Sequence, residues 1–273
     1  MFEIVDKKQL NTGVTSITLN APLIAKKVKP GQFVIVRIDE KGERIPLTVS
    51  DFNALKGTLT LVVQAIGFTT KKLTALNVGD GVLDLVGPLG LPTDFGNPKK
   101  AIVIGGGVGC AIAYPQAKYL HSIGVDVTVI AGFRSKDIVI LEDEMKAVSN
   151  ALFVTTDDGS YGRKGLVTEV LSELLSKDKY DLVIAIGPVP MMKYVSLTTK
   201  PFGVKTIVSL NPIMIDGTGM CGGCRVSVGG ETKFACVDGP DFDGHLVDFD
   251  ELMRRNSFYK QEEAHKCRLG GEE

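Results

Sequence analysis

Short apolar or alternating stretches recur through the first 98 residues, and Gly, Pro and Asp separate them. Stretches of this length and spacing are typical of strands in a small antiparallel barrel or sandwich. The four clearest candidates are Val14–Leu19, Phe33–Ile38, Thr58–Gln64 and Gly81–Val86. The pattern therefore predicts an N-terminal antiparallel β-barrel over residues 1–98.

The pattern changes at Lys99, where strands begin to alternate with helices. Alternation of this kind is typical of βαβ units and a parallel sheet, so residues 99–207 are predicted to form a Rossmann-like α/β domain. From about Val208 the pattern weakens and Gly and Cys become dense, which sets residues 208–273 apart as a C-terminal segment with a charged tail. The fold class is thus β followed by α/β. The predicted strands are Ala101–Ile104, Val125–Ala131, Ala151–Thr155 and Leu182–Ile186, with helices after Gly109 and around Glu142–Val148 and Leu166–Leu175.

Composition argues against some classes of function, in particular nucleic-acid binding. The 273 residues have a net charge of −1, contain no Trp and are 7% aromatic. The chain therefore lacks the basic stripe and the stacking platform that nucleic-acid binding needs. No signal-peptide pattern opens the sequence and no apolar run reaches about 18 residues. We expect a cytoplasmic protein.

Cysteine spacing gives the strongest chemical signal. Asp216, Cys221 and Cys224 repeat the C-x4-C-x2-C spacing of plant-type [2Fe–2S] proteins with Asp at the first position, and Cys236 follows farther along. A Gly-rich loop lets the backbone wrap a compact cluster, and a carboxylate can supply the missing anionic ligand. These four residues are the predicted metal ligands.

Two other interpretations of the same residues remain open. Three Cys and one Asp could form a tetrahedral zinc site, or the cysteines could be buried and free. Cys110 and Cys267 lack partners at ligand spacing. Cys110 is expected to be a packing residue and Cys267 a thiol of the tail.

The barrel contains two weaker signals for a bound phosphate. Arg44 precedes Pro46, Leu47 and Thr48 between two strand candidates. Gly67-Phe-Thr69-Thr70 opens a predicted helix with two hydroxyls, and a helix N-terminus suits a pyrophosphate. The alternative for the hydroxyls is ordinary N-capping.

The α/β domain contains three signals for a nucleotide. The loop Gly105-Gly106-Gly107-Val108-Gly109 follows a strand and opens a helix, although Cys110 breaks the G-x-G-x-x-G fingerprint. Gly187, Pro188 and Met191 follow another strand at the same edge of the sheet; Met191 could instead fill the core. Asp158 could reach a ribose hydroxyl or merely form a turn.

The order of these motifs resembles the ferredoxin-NADP reductase-like superfamily, and within it the electron-transfer subunit of dihydroorotate dehydrogenase B, over essentially the whole chain. Cys236-Val-Asp-Gly-Pro is similar to the sequence around that subunit's last cluster ligand. Asp216 departs from its four cysteines. In this respect the chain resembles the small subunit of the electron-bifurcating NADH-dependent reduced ferredoxin:NADP oxidoreductases, also known as sulfide dehydrogenases.

The resemblance implies three cofactors: FAD on the barrel, NAD(H) on the α/β domain and a [2Fe–2S] cluster on the C-terminal segment. It also implies a larger partner subunit with its own FAD and [4Fe–4S] clusters, which the tail contacts. No catalytic acid or base is expected, because the cofactors supply the redox chemistry. The predicted FAD contacts are Arg44, Pro46, Leu47, Thr48, Val63, Gly67, Thr69 and Thr70; the predicted NAD contacts are Gly105, Gly106, Gly107, Val108, Gly109, Asp158, Gly187, Pro188 and Met191.

The predicted function is hydride exchange between NAD(H) and FAD, with single electrons relayed through the cluster to or from the partner. One alternative is the dihydroorotate dehydrogenase B subunit, and another is a zinc-stabilised nucleotide-binding regulator without turnover. Arg134 and Lys136 could hold a 2′-phosphate, whereas the acids near them favour a free ribose diol. NAD is the predicted nucleotide.

Overall fold

The computed structural model describes residues 1–259 together with residues 262 and 265. Most of the predicted partner-contacting tail beyond residue 259, including Cys267, lies outside the described residues. In the part of the chain that is described, no helix has the length and apolar character needed to cross a membrane.

The first seven strands form one antiparallel sheet that curls into a nearly closed barrel. Its strand order is β6-β1-β2-β5-β4-β3-β7, and its interior is filled by aliphatic side chains such as Ile17, Leu59 and Leu61. The strands are β1 Phe2–Asn11, β2 Val14–Asn20, β3 Phe33–Arg37, β4 Ile45–Asn53, β5 Thr58–Gln64, β6 Gly81–Val82 and β7 Asp84–Leu89, with helices α1 Pro22–Ala25 and α2 Phe68–Ala75.

Three details of the barrel differ from the sequence prediction. β1 was not predicted, because most of its residues are polar or half-exposed. The segment Arg44–Thr48 does not lie between strands: Ile45 begins β4, and Pro46 pairs with Ile35 of β3. The predicted strand Gly81–Val86 is divided between β6 and β7.

The second sheet has the order β11-β10-β9-β8-β12-β13-β16, in which all pairs are parallel except β13 with β16. β9 and β10 follow β8 on one side, and β12 and β13 lie on the other. The chain thus reverses its strand order between β8 and β12, where open α/β sheets bind ligands. The elements are β8 Lys100–Gly106, α3 Cys110–Ser122, β9 Asp126–Phe133, α4 Glu142–Ala147, β10 Ala151–Thr156, β11 Arg163–Lys164, α5 Val167–Lys177, β12 Leu182–Ile186, α6 Val189–Thr199 and β13 Lys205–Ser209, with short 3₁₀ helices at Gly107–Gly109, Lys136–Ile138 and Lys200–Phe202.

The C-terminal segment is joined to the α/β domain rather than standing apart from it. It contains the hairpin β14 Arg225–Val228 and β15 Glu231–Phe234, strand β16 Asp241–Asp243 and helix α7 Phe249–Arg255. β16 extends the parallel sheet, and Phe249 and Leu252 of α7 share a core with α5 and α6. The predicted fold class, a barrel followed by a Rossmann-like domain and an iron–sulfur-type segment, is confirmed.

The barrel and the α/β domain are held together along β4 and α3. The hydroxyl of Ser50 on β4 donates to the carbonyl of Ala111 on α3 at 2.7 Å in a buried contact. Nearby, Nζ of Lys118 lies 2.7 Å from Oδ1 of Asp51. These contacts hold α3 against the strand that contains Pro46.

Candidate functional site

The N-terminus of α2 and the start of β4 meet at one end of the barrel. The hydroxyl of Thr69 donates to Oε2 of Glu43 at 2.7 Å, which joins the two segments. The hydroxyl oxygen of Thr70 accepts from the backbone N–H groups of Gly67 and Ile66, at 3.0 and 3.1 Å. Thr70 therefore caps the N-terminus of α2, which is the alternative to ligand binding given for its hydroxyl above.

Arg44 lies at the same end of the barrel, next to an anionic neighbour. Its guanidinium is 3.8 Å from Oδ2 of Asp84 and about half of the side chain is exposed, at 52%. Arg37 makes the closer pair with Asp84, at 2.7 Å. Because Asp84 has this second partner, Arg44 is free to turn toward an anionic ligand without leaving Asp84 unpaired.

The other predicted flavin contacts divide into two sets. Pro46, Leu47 and Thr48 are half-buried on β4, where they line the sheet beside β3. The side chain of Val63 is only 1% exposed and belongs to the barrel core. A direct role of the Val63 side chain in ligand contact does not fit this position.

The glycine loop lies at the carboxyl end of β8. Gly107 has φ of +56°, a left-handed conformation that side chains disfavour, and no atom lies within 4 Å of the point where a Cβ would be. The loop thus turns sharply and leaves open space beside its backbone. The N-terminus of α3 follows directly, and its free N–H groups suit a phosphate.

The second loop packs directly on the first. A Cβ on Gly106 would be 2.5 Å from Sδ of Met191, and a Cβ on Gly109 would be 2.4 Å from the carbonyl oxygen of Ile186. A Cβ on Gly187 would be 2.8 Å from Cε of Met191. The structure therefore brings the two predicted nucleotide loops together. Met191 fills the space between them, so its side chain has the packing role given above as the alternative to nucleotide contact.

The loops after β9 and β10 lie side by side at the edge of this site. Oδ1 of Asp158 accepts from the N–H and hydroxyl of Ser160, at 2.9 and 2.7 Å, and these bonds lower the pKa of the exposed Asp158 carboxyl. Ser160 also accepts from the N–H of Lys136 at 2.8 Å. Asp158 thus forms the turn that the alternative describes and remains at the surface as a carboxylate.

A β-hairpin brings two of the predicted cluster ligands together. Cys224 directly precedes β14, Cys236 follows β15 closely, and the N–H of Ala235 donates to the carbonyl of Cys224 at 3.1 Å. The tight turn of the hairpin, Gly229-Gly230, has φ of +62° and +80°, which glycine adopts readily. Both thiols are buried, and burial, followed by a hydrogen bond with Cys224, raises the pKa of Cys236 to about 12.

Asp216 and Cys221 lie on the exposed loop before the hairpin. The carboxylate of Asp216 accepts from the N–H groups of Thr218 and Cys221 at 2.7 and 2.8 Å, and these bonds, that of Thr218 first, lower its pKa. Sγ of Cys221 accepts from the N–H of Gly223 at 3.4 Å. Backbone N–H groups therefore point at the predicted ligand atoms, as they do around metal-bound sulfur and oxygen.

Within the described residues, no three His, Cys, Asp or Glu side chains converge closely enough to hold a metal ion. Asp216 and Cys221 are turned to the loop backbone, whereas Cys224 and Cys236 face each other. The donor set itself, three sulfurs and one carboxylate on a loop and an adjoining hairpin, fits an iron–sulfur cluster. Asp216 as the fourth ligand stays a prediction.

The predicted cluster loop packs on the barrel strand that neighbours β4. Cys224 and Cys236 share a small core with Phe33 and Ile35 of β3. Ile35 pairs in turn with Pro46 of β4. Only one strand therefore separates the cysteine pair from the segment predicted to contact the flavin.

Sequence reasoning missed three residues of this region. Glu43 accepts the hydroxyl of Thr69, Asp84 pairs with Arg44, and Ser50 ties β4 to α3. Glu43 directly precedes Arg44, so the sequence alone already places a carboxylate next to the residue predicted to bind the phosphate. The contacts of Asp84 and Ser50 depend on pairing distant segments and had no local signal.

Comparisons with known proteins agree with this arrangement. Residues 211–248 match the iron–sulfur cluster binding domain of dihydroorotate dehydrogenase B. A Thermotoga maritima protein described as a dihydroorotate dehydrogenase B (NAD(+)) electron transfer subunit homolog is 48% identical, over 96% of this chain and 92% of its own. The electron transfer subunit of Geobacillus thermodenitrificans is 34% identical, over 88% of this chain and 94% of its own.

A solved structure gives the same result. It is that of the NADH-dependent reduced ferredoxin-NADP oxidoreductase, determined to understand flavin-based electron bifurcation. One of its chains is 46% identical to this chain, has a TM-score of 0.93, and the match covers 98% of this chain and 97% of that one.

Fold and site together define a flavin- and nicotinamide-linked oxidoreductase subunit of the ferredoxin-NADP reductase-like class. The chain belongs to the family of dihydroorotate dehydrogenase B electron transfer subunits and their homologues. The family resemblance predicted from the motif order is confirmed.

Proposed function

We propose that this chain is the nicotinamide-linked electron-transfer subunit of an electron-bifurcating complex. The observation that carries the proposal is the position of β4, which contacts the nucleotide helix α3 through Ser50 and lies one strand away from the cysteine pair. FAD, NAD(H) and a [2Fe–2S] cluster supply hydride transfer and one-electron transfer. The protein supplies binding sites that are close to one another.

The barrel provides the FAD site at the start of β4 and the N-terminus of α2. Pro46, Leu47 and Thr48 offer a half-buried surface for the flavin, and Arg44 offers a charged donor for its pyrophosphate. Gly67, Thr69 and Thr70 form the helix N-terminus beside it. Val63 supports these residues from the core.

The α/β domain provides the NAD site at the reversal of strand order. Gly105, Gly106, Gly107, Val108 and Gly109 pass the backbone close to the pyrophosphate, while Gly187, Pro188 and Met191 form the opposite wall. Asp158 and its neighbouring acids favour an unphosphorylated ribose, because a 2′-phosphate beside carboxylates is repelled. NADH is therefore the proposed donor or product.

The C-terminal segment provides the cluster site from Asp216, Cys221, Cys224 and Cys236. The proposed domain division follows: residues 1–98 for FAD, 99–207 for NAD, and 208–273 for the cluster and partner contact. Support comes from the matched cluster domain at 211–248 and from the loop's backbone N–H groups.

A larger partner subunit is proposed to dock beside the cluster loop, and the relative that is an electron transfer subunit supports such a partner. Ile215, Met220 and Val237 flank the loop and are 58%, 86% and 40% exposed, an apolar rim that suits a protein contact. We further propose that this partner has its own FAD and [4Fe–4S] clusters and that the complex is cytoplasmic.

The identity of the cofactors and of the partner tests this function. After anaerobic purification, the complex is expected to contain FAD, iron and acid-labile sulfide, with a subunit other than dihydroorotate dehydrogenase. Stoichiometric zinc without sulfide would support the regulator alternative instead. Co-purification with a dihydroorotate-oxidising subunit would support the dihydroorotate dehydrogenase B alternative, which the presence of Asp216 in place of Cys disfavours.

Arg44→Ala is expected to weaken FAD binding on the order of tenfold to a hundredfold, because a charge-assisted hydrogen bond is worth about 1.5–3 kcal/mol. The fold should persist, since Arg37 still pairs with Asp84. FAD retained after dialysis measures the effect, and Arg44→Lys is the matched control that keeps the charge. If Arg44→Ala retains all of its flavin, Arg44 is not the phosphate anchor.

A further inference from the structure

An amide oxygen and a carboxyl oxygen lie buried where the barrel, the α/β domain and the C-terminal segment meet, and neither has a hydrogen-bond partner within the described part of the chain. Gln116 on α3 is fully buried, and its Oε1 accepts no hydrogen bond. Asp241 at the start of β16 is partly accessible as a residue, but its Oδ1 is buried and also unpartnered. Buried acceptors without donors are costly and rare, so this pair of atoms needs an explanation.

Two donors, the hydroxyl of Thr93 and the amide of Gln116, reach the other carboxyl oxygen of Asp241, Oδ2. The hydroxyl of Thr93 donates to Oδ2 at 2.5 Å, and Nε2 of Gln116 lies 3.4 Å from the same atom. In a cyclic acid–amide pair, the amide N–H donates to one carboxyl oxygen and the other carboxyl oxygen donates a proton to the amide oxygen. The two atoms left without partners here are the two that such a proton would join.

Among the described residues, none of the groups that face Asp241 has a positive charge. The groups that face it are the hydroxyls of Thr93 and Ser209 and the amide of Gln116. A buried carboxylate without a cation or a full set of donors is unfavourable. Burial raises the pKa of Asp241, although the hydroxyls of Ser209 and Thr93 and the Gln116 amide oppose the rise.

Four charged or titratable side chains on the neighbouring elements have other partners. Lys118 on α3 pairs with Asp51, and Lys205 on β13 donates to the carbonyl of Asp94 at 3.0 Å. On β16 itself, Asp243 accepts the N–H of His245 at 2.9 Å, and the imidazole of His245 is bonded to Thr199 at 2.8 Å. None of these groups neutralises Asp241.

We propose that Asp241 is a protonated, uncharged acid in the folded protein and that its Oδ1 donates this proton to Oε1 of Gln116. The pair is a proton-binding site and a positioning device for the C-terminal segment. It does not depend on the function proposed above.

The contacts of Asp241 and Gln116 show which segments of the chain this pair holds in place. A Cβ on Gly31, in the loop before β3, would be 2.9 Å from Oδ2 of Asp241 and 2.3 Å from the hydroxyl of Thr93, so the barrel backbone lies directly against the acid. The N–H of Leu210, the residue directly after β13, donates to the carbonyl of Pro240 at 2.9 Å. The acid thus joins the barrel, α3 and the end of the cysteine segment at one point.

Isosteric replacement tests the proton directly. In Asp241→Asn, the side-chain amide can donate to Oε1 of Gln116 and its oxygen can accept from Thr93. We therefore expect the full-length, cofactor-loaded Asn variant to unfold at the same temperature as the wild type or higher at neutral pH. Asp241→Ala, which loses all these bonds, should unfold at a lower temperature, and Asp6→Asn, an exposed strand residue, is the matched control.

The dependence on pH separates a neutral acid from a carboxylate. A pKa raised in the folded state contributes stability that is complete below the ordinary Asp value of about 3.9 and is lost as pH rises through the folded value. Relative to Asp241→Asn, the folded-to-unfolded ratio of the wild type should therefore fall by up to about tenfold per pH unit as the pH rises from just above about 4 toward the raised pKa of Asp241 in the folded state. Asp6→Asn should show no such difference from the wild type.

Infrared spectroscopy provides a second readout that loss of packing alone would not move. The wild type at neutral pH should show the C=O stretch of a protonated carboxyl group, and Asp241→Asn should lack that band. The proposal is overturned if the band is absent from the wild type, or if Asp241→Asn is destabilised as much as Asp241→Ala with an unchanged pH profile. Either result would identify Asp241 as a carboxylate, with water or another donor between the two oxygens.

Discussion

Cys224→Ala is expected to abolish assembly of the iron–sulfur centre, the largest effect that the structure predicts for a single substitution. Cys224 is 3% exposed and packs with Cys236 against Phe33 and Ile35, so no exposed residue can take its place as a ligand. Removing one of three thiolates from a cluster of this kind removes a bond that no other cysteine among the described residues replaces, because Cys110 lies outside this segment. The measurement is iron and acid-labile sulfide per FAD after anaerobic purification.

The matched control is Cys110→Ala, which removes a fully buried cysteine from α3. Burial raises the pKa of the Cys110 thiol to about 12, and this residue lies outside the predicted cluster segment. We expect Cys110→Ala to keep its iron, and Asp216→Cys to keep a cluster with an altered potential. A full complement of iron and sulfide in Cys224→Ala would contradict the ligand assignment.

Gly107→Val is expected to weaken nucleotide binding on the order of tenfold to a hundredfold, because a β-branched residue in a left-handed conformation costs about 1–3 kcal/mol. Its side chain would also enter the open space beside the loop. FAD and the cluster should remain bound, since their proposed sites lie on other segments. The measurement is the NADH concentration needed for half-maximal rate of flavin reduction.

Gly203→Val is the matched control for backbone strain. Gly203 has φ of +64° and, like Gly107, no atom within 4 Å of the position of a Cβ, but it lies in the turn before β13. If both variants lose NADH binding equally, the effect of Gly107→Val is one of folding. If only Gly107→Val loses it, the loop contacts the nucleotide.

The sequence predicted the fold best where one face or both faces of an element are buried. β8, β9 and β12 are almost continuous apolar runs, and parallel strands covered by helices on both sides require such runs. β1 was missed because most of its side chains face solvent or are half-exposed, which leaves little periodicity to detect. The start of β4 was missed for a different reason, because Pro46 is normally a sign of a turn.

Residues of the candidate site were predicted from the sequence where a short motif marks them, and were missed where their contacts join distant segments. The spacing of Cys221 and Cys224 and the glycine loop at Gly105–Gly109 are short motifs that can be found without a structure. The bond from Ser50 to Ala111 joins residues 61 positions apart, and that from Thr93 to Asp241 joins residues 148 apart. No pattern along the chain encodes such pairs, because they arise only when the three segments pack together.

Two of the polar residues predicted to contact ligands also have local structural roles. Thr70 and Asp158 are used by the backbone next to them, the first as a helix cap and the second as a turn former. Ser, Thr and Asp at the ends of elements commonly satisfy local N–H groups. Their contact with a ligand stays a prediction, and it would have to coexist with these bonds.

One measurement tests the central claim that nicotinamide, flavin and cluster lie on one electron path in this chain. The purified subunit is mixed rapidly with NADH or NADPH under anaerobic conditions, and absorption is followed at flavin and cluster wavelengths. We expect NADH to bleach the flavin first and the cluster afterwards, and NADPH to do so less well. Equal or better reduction by NADPH would contradict the NAD assignment, and no reduction by either nucleotide would contradict the electron path itself.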